Sequence, residues 1–218
     1  MTMRLPIDHV VVLVPDLAAA GAAFEAAGFQ VTPEARHSPQ MGTANRCVML
    51  AGSYIEIMGV VEPTAVNAGW RELLAAGIGI RGLAFRSTDI RATVERLQAN
   101  GIAAEAVREF SRSTPDGQLR FSIARIAREE TPGLQCLFCQ HHTPQLLWRP
   151  NMLVHPNGAS GLESVGLPSP DGLQCFGQDG EPGIAVSRGA DRLVIRGEAE
   201  AHHDLRATCG IEIRTVRP

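Results

Sequence analysis

The chain has 218 residues, a formal net charge of −3 and 44% hydrophobic residues, which are ordinary values for a globular protein. No basic run stands out, so the charge gives no reason to expect a nucleic acid or an anionic membrane surface as a partner. The chain enters an apolar strand directly, and no apolar run approaches the roughly 20 residues of a membrane span. The five cysteines are odd in number and scattered, which favours reduced thiols and a cytoplasmic location.

Two stretches of the sequence repeat each other. Residues 7–29 and 80–102 align without a gap, so that Asp16 falls on Asp89. Each stretch predicts an apolar strand, an Asp at a helix N-cap, a helix with one apolar stripe, a closing Gly and a second strand. We therefore expect an internal structural repeat.

The two units are predicted to have the order β-α-β-β-β. The first unit spans 5–61, with strands Ile7–Val14, Phe29–Thr32, Ala44–Leu50 and Tyr54–Met58 and a helix Asp16–Ala27. The second spans 81–140, with strands Gly82–Ser87, Ile102–Val107, Gln118–Ile126 and Leu134–Gln140 and a helix Asp89–Asn100. A linker helix that contains Trp70 is expected between them.

The fold class predicted from this order is α+β, with tandem units forming a curved mixed sheet around a cleft. Residues 1–150 would form this domain, and 151–218 a β-rich extension packed on it, with a hairpin over 185–197. The extension reads either as a shortened third unit or as an independent β segment.

Strand alternation sorts the side chains by face. Val10, Val12 and Val14 are expected to cover the helix. The opposite face collects a few polar groups among apolar ones, which is typical of a small-molecule site: His9, Asn45, Tyr54 and Glu56. Cys136 and Cys139 should point to opposite faces and so cannot chelate one ion.

The repeated unit resembles the vicinal oxygen chelate superfamily, which includes glyoxalase I, extradiol dioxygenases and fosfomycin- and bleomycin-resistance proteins. The resemblance rests on His9 in IDHVVVLVPDL and on Glu56 in YIEIMG. HSPQMGTAN (37–45) and WRPNMLVHPNGA (148–159) are similar to a bacterial glyoxalase-like group. The resemblance implies the fold more strongly than any one reaction.

In that superfamily a His and a Glu from each unit hold a divalent metal ion. The resemblance thus implies that His9 and Glu56 are metal ligands and the catalytic pair, with Zn, Fe, Mn or Ni as the ion. In the second unit Gly82 offers no ligand and Gln140 only an amide. His141, or its neighbour His142, would then complete the site. A metal-free pocket and a purely structural His–Glu pair remain alternatives.

Further polar side chains are candidates for substrate binding. Asn45 and Tyr54 are expected to face inward. His37, in a loop before a Gly turn, would either close over the pocket or lie on the surface. Arg120 would bind a carboxylate if it is not simply a surface residue. The candidate set is Asn45, Tyr54, His37, Arg120, Gln140, His142 and His155. His155 also reads as part of a His-Pro-Asn-Gly turn, and one of the two histidines 141 and 142 should be solvated.

Two functions follow from these residues. The first is a metal-dependent lyase, isomerase or dioxygenase that acts on a small vicinally oxygenated substrate. The second is a metal-free protein that binds and sequesters a small molecule, as resistance proteins do. A homodimer is compatible with either function.

Overall fold

The structure is a computed structural model that describes residues 2–114, 116–177 and 183–218. The strands in these ranges are β1 Thr2–Leu5, β2 Ile7–Leu13, β3 Ala35–Arg36, β4 Thr43–Leu50, β5 Ser53–Val60, β6 Gly79–Arg86, β7 Arg108–Thr114, β8 Gly117–Arg125, β9 Gln135–His141, β10 Gly161–Leu167, β11 Ile184–Arg188, β12 Arg192–Arg196, β13 Ala201–Leu205 and β14 Ile211–Val216. The α-helices are α1 Leu17–Ala26, α2 Ala68–Ala76, α3 Ile90–Ala99 and α4 Arg206–Cys209. None of these helices is long and apolar enough to cross a membrane.

The predicted repeat forms an eight-stranded mixed sheet in the order β3-β4-β5-β2-β6-β9-β8-β7. The first strands of the two units, β2 and β6, pair antiparallel at its centre. Each of them pairs in parallel with the last strand of its own unit, β5 or β9. The sheet is curved, and the α+β prediction is confirmed.

The helix boundaries follow from their caps. The Asp16 carboxylate accepts a hydrogen bond from the backbone N–H of Ala19, and Asp89 accepts from Arg91 and Ala92. Both aspartates satisfy N–H groups that the first helical turn leaves free. The linker helix α2 also forms and carries Trp70.

The second strand of each unit was predicted in the wrong place. Residues 29–32 form no strand, because the Thr32 hydroxyl takes the backbone N–H of Cys47 that a ladder would use. In the second unit residues 102–107 form only an isolated bridge from Ala104 to Ile126. The strand is instead β7, which occupies the segment expected to be a loop and pairs with β8.

The C-terminal strands β10–β14 join β1 in a six-stranded sheet, in the order β1-β11-β10-β12-β14-β13. The hairpin predicted over 185–197 is wrong, because β11 and β12 both pair with β10, which lies between them. The orientations of neighbouring strands across this sheet match those from β4 to β8 in the large sheet. The matching strands of the large sheet come from both of its units, so the match does not single out one shortened unit. The two interpretations of the extension and a domain boundary at residue 150 stay predictions.

The two sheets share one core. Val10, Val12 and Val14 belong to the same buried apolar cluster as Leu193 and Ile213 of the C-terminal sheet. The six-stranded sheet therefore covers the helix-bearing face of the large sheet. The opposite, concave face is left for the site.

Candidate functional site

The concave face of the large sheet encloses a cavity of about 400 Å³. Its walls come from both units and are mainly apolar, including Val11, Leu83, Phe121 and Ile123. That volume and lining are typical of pockets for small organic molecules. The cavity is lined by His9, Asn45, Tyr54 and Glu56, as strand alternation predicts, and also by the loop residue His37 and by His141.

His9 and Glu56 face each other in this cavity. His9 Nε2 lies 3.6 Å from Glu56 Oε2, and both residues are less than 10% exposed. They come together because β2 and β5 are parallel neighbours, with Val11 opposite Glu56 and His9 opposite Tyr54. The Tyr54 ring stacks on the imidazole of His9 with 4.3 Å between the ring centroids. Burial, with the nearby Asp8 and Glu56 charges, raises the pKa of Tyr54 well above its usual value.

The other carboxylate oxygen of Glu56 is fixed by an amide. Asn45 Nδ2 donates to Glu56 Oε1 over 2.6 Å. His37 Nε2 lies 3.8 Å from the same oxygen, and its Nδ1 lies 2.7 Å from the Thr43 hydroxyl. Burial lowers the pKa of His37, opposed by Glu56 and assisted by the charge of Arg112. The lowered pKa keeps His37 neutral in the cavity wall. The other carboxylate oxygen, Glu56 Oε2, is directed at His9.

Asp8 is a site residue that sequence alternation missed. A β-bulge between Ile7 and His9 places one extra residue in β2, so that Asp8 shares the face of His9. Asp8 Oδ1 lies 2.8 Å from His9 Nδ1 and 3.0 Å from His141 Nε2. Burial alone would raise the pKa of Asp8, but the hydrogen bonds from His141 and His9 outweigh it and hold the pKa well below its usual range. The signal, an Asp next to His9, was in the sequence, but the bulge that turns it inward was not.

Asp8, Cys139 and His141 form a group that can hold a metal ion. Their ligand atoms all lie within 4.8 Å of one another, and Cys139 Sγ lies 3.6 Å from His141 Nε2. The predicted ligand His141 is thus in the site but faces Asp8 instead of Glu56. Cys136, on the opposite face of β9, belongs to the apolar core, as the alternation predicted.

Four predicted substrate-binding residues lie outside the cavity lining. Gln140 accepts a hydrogen bond from the N–H of Ile90 and donates to the carbonyl of Thr88, at the start of α3. His142, the residue after the end of β9, is exposed, and its Nε2 lies 2.7 Å from the Ser122 hydroxyl. Arg120 is exposed.

His155 is buried against the first unit instead of reaching the cavity rim. Its Nδ1 accepts from the N–H of Gln30, and its Nε2 donates to the carbonyl of Met49. The turn interpretation of its segment is therefore the better one. His155 attaches the segment after Trp148 to the repeat.

A model of the glyoxalase-like domain family matches residues 7–175. The chain belongs to this family. No curated protein matches the chain in sequence. A hypothetical protein from Staphylococcus aureus has the same fold, with a TM-score of 0.73 and 14% identity over 97% of this chain and 99% of that chain.

Methylmalonyl-CoA epimerases overlap the glyoxalase-like chain less closely. The enzyme from Mycobacterium tuberculosis has a TM-score of 0.48 and 22% identity, over 62% of this chain and 87% of that chain. A methylmalonyl-CoA epimerase in complex with methylmalonyl-CoA and NH4+ has a TM-score of 0.49 and 20% identity, over 64% of this chain and 96% of that chain.

The ligand pair expected from the second glyoxalase-like unit is not present. Gly82 falls on His9 in the repeat, and the strand register gives Leu137, not Gln140, as the counterpart of Glu56. This follows because Val11 pairs with Glu56, while Ala84, its repeat equivalent, pairs with Leu137. The four-ligand metal site implied by the superfamily therefore does not fit these residues.

Proposed function

We propose that the protein is an enzyme of the isomerase or lyase type, which moves a proton on a small, mainly apolar substrate with adjacent oxygen atoms. The observation that carries the proposal is the Glu56 carboxylate, buried in an apolar cavity with Oε1 held by Asn45 and Oε2 directed at His9. Burial of a carboxylate that has no functional role would lower the stability of the fold without any gain. Two of the four positions that hold the metal ion in the superfamily have no ligand atom in this chain. The proposed reaction therefore uses no metal ion at those positions.

Asp8 determines which nitrogen of His9 faces the cavity. A carboxylate whose pKa is held low only accepts hydrogen bonds, so His9 Nδ1–H donates to Asp8 Oδ1. The Nε2 atom of His9 therefore faces Glu56 Oε2 and the cavity, where it can donate or accept a proton. This is the orienting role that a buried Asp has for a catalytic His.

The arrangement supports proton transfer next to a carbonyl. Glu56 Oε2 would take the proton from the carbon beside the carbonyl. The C–H electron pair would form the new C=C bond, and the carbonyl π electrons would move to the oxygen, which gives an enolate. Protonated His9 would donate a hydrogen bond to that oxygen. Return of the proton to either face of the carbon, or to the neighbouring carbon, completes an isomerisation, and loss of a β-leaving group completes an elimination. Acid–base catalysis of this kind contributes about 10²–10⁴-fold in rate.

A second candidate is a binding protein that sequesters an apolar compound. The apolar second half of the cavity favours it, since Leu137 and Trp70 stand where the other unit of the superfamily would present its ligands. In that case Glu56 would serve only to orient the bound molecule.

Deuterium exchange separates the two candidates. Small α-keto acids and α-hydroxy thioesters are incubated with the protein in D₂O and followed by NMR. If the protein is an enzyme, wild type should place deuterium at the carbon beside the carbonyl, and so should the exposed control Glu62→Gln. Glu56→Gln should not. Binding of a panel member without any exchange by wild type would establish the sequestration function instead.

A further inference from the structure

We propose that Asp8, Cys139 and His141 form a zinc site at the edge of the cavity, separate from the ligand positions of the superfamily. The site would have three protein ligands and one coordination position open to a ligand oxygen. This inference goes beyond the proposed function, in which no metal takes part.

The distances match a tetrahedral zinc ion. With Zn–N and Zn–O near 2.0–2.1 Å and Zn–S near 2.3 Å, neighbouring N and O ligands lie about 3.3 Å apart, and N and S ligands about 3.6 Å apart. His141 Nε2 lies 3.0 Å from Asp8 Oδ1 and 3.6 Å from Cys139 Sγ. A zinc ion would therefore take the place of the proton that His141 Nε2 donates to Asp8 Oδ1, without a large movement of either side chain.

Local backbone features bring the three residues together. Cys139 and His141 are two apart on β9 and so share the cavity face. The bulge in β2 turns Asp8 toward them. An Asp, a Cys and a His supply the oxygen, sulfur and nitrogen donors that zinc accepts.

Asp8 itself points independently to a cation. It is fully buried, and its Oδ2 atom has no hydrogen-bond partner in the described parts of the chain. The guanidinium of Arg86 lies nearby, with Nε 3.6 Å from Oδ2, but this side chain is 45% exposed. A buried carboxylate with one unpaired oxygen is costly, and a zinc ion bound to that carboxylate, through Oδ1 alone or through both oxygens, would offset the cost.

The surroundings match those of a metal ligand. His9 Nδ1–H donates to Asp8 Oδ1, as the outer partners of metal-binding groups commonly do. Zinc would bind the Cys139 thiolate, and together with Asp8 the two negative charges would balance the ion. Since Cys139 and His141 line the cavity, the remaining position would face a bound molecule.

Metal analysis and cobalt substitution test the site on the full-length protein. Protein purified without chelator is expected to hold one zinc per chain, and its cobalt form to show a thiolate-to-cobalt charge-transfer band. Cys139→Ser should abolish the band, and His141→Gln should release the zinc to a competing chelator. Cys136→Ser and His142→Gln are matched controls, since these residues lie on the other face of β9 or beyond its end, and both should keep the metal.

Three results would overturn the zinc site: no zinc bound by wild type, unchanged zinc affinity in Cys139→Ser, or equal loss in Cys136→Ser. None of these readouts depends on turnover. Glu56→Gln should still bind zinc, so that failure of the proton-transfer proposal and failure of the zinc site are distinguishable.

Discussion

The indole of Trp70 occupies the space that a side chain at Gly82 would need. A Cβ at residue 82 would stand 2.9 Å from Trp70 Cη2, 2.9 Å from the Gln135 carbonyl and 3.1 Å from Val11 Cβ. The linker between the units thus contributes an aromatic wall where a repeat of His9 would project. Linker helix α2, which carries Trp70, therefore belongs to the cavity as much as the strands do.

This contact predicts a destabilising effect of Gly82→Ala. Because the Cβ meets both backbone and indole, the substitution should lower the free energy of unfolding by about 1–3 kcal/mol, as overpacked cores do. Urea denaturation measures it. In a Trp70→Ala background the cost should fall but not vanish, since the Gln135 carbonyl stays in place. Gly189→Ala is the control, because a Cβ there meets nothing within 4 Å. Equal effects at both glycines would contradict the contact.

The Asp8 network predicts an acid-sensitive contribution to stability. The pKa of Asp8 is lowered from the ordinary value of 3.8, so its contribution is present above that value and is lost as pH falls through the lowered pKa. In metal-free protein, Asp8→Asn should lower the free energy of unfolding near neutral pH by about 1.5–3 kcal/mol, as loss of hydrogen bonds to a charged group does. Its stability should also fall less than that of wild type when the protein is acidified below pH ~4. Parallel pH curves for the two proteins would contradict this.

The buried His155 is expected to make the stability depend on pH in a second, higher pH range. Burial lowers its pKa from the ordinary 6.5, against the opposing hydrogen bond to the Met49 carbonyl. The unfolded chain then binds the proton more readily, so stability is full above about pH 6.5 and decreases as the pH falls below it. His155→Gln should flatten that decrease and cost about 1–3 kcal/mol for two lost hydrogen bonds. The control His202→Gln, at an exposed residue, should change neither the pH dependence nor the free energy of unfolding. Urea unfolding at several pH values measures both.

Substitution of Asn45 is expected to change the rate of proton exchange without a large change in structure. Its amide fixes Glu56 Oε1, so Asn45→Ala should let the carboxylate move and lower kcat for proton exchange by about 10–100-fold, with little change in KM. Asn100→Ala, an exposed helix cap, should leave both constants unchanged. A large change in KM alone would mean that Asn45 binds the substrate instead of positioning Glu56.

Much of this arrangement could be predicted from local sequence. Asp16 marks a helix start because its carboxylate satisfies nearby N–H groups, and period-two alternation places His9 and Glu56 on one face. Alternation also separates Cys139 from Cys136. These features depend only on a residue's neighbours along the chain or on the same strand.

The remaining features depend on contacts between strands. The bulge that turns Asp8 inward exists only because β2 pairs with β6 in a shifted register. Leu137 could be recognised as the counterpart of Glu56 only from the pairing of β6 with β9, whereas the motif LFCQHH by itself favours Gln140. In the same way β10 separates β11 from β12, although these two strands are close in sequence.

The most direct test of the central claim is the deuterium content of a bound substrate after incubation in D₂O, measured by mass spectrometry for wild type and Glu56→Gln at equal ligand occupancy. The account predicts one deuterium per molecule with wild type and a rate at least about 100-fold lower with Glu56→Gln. Equal deuterium incorporation by both proteins would show that Glu56 does not move the proton.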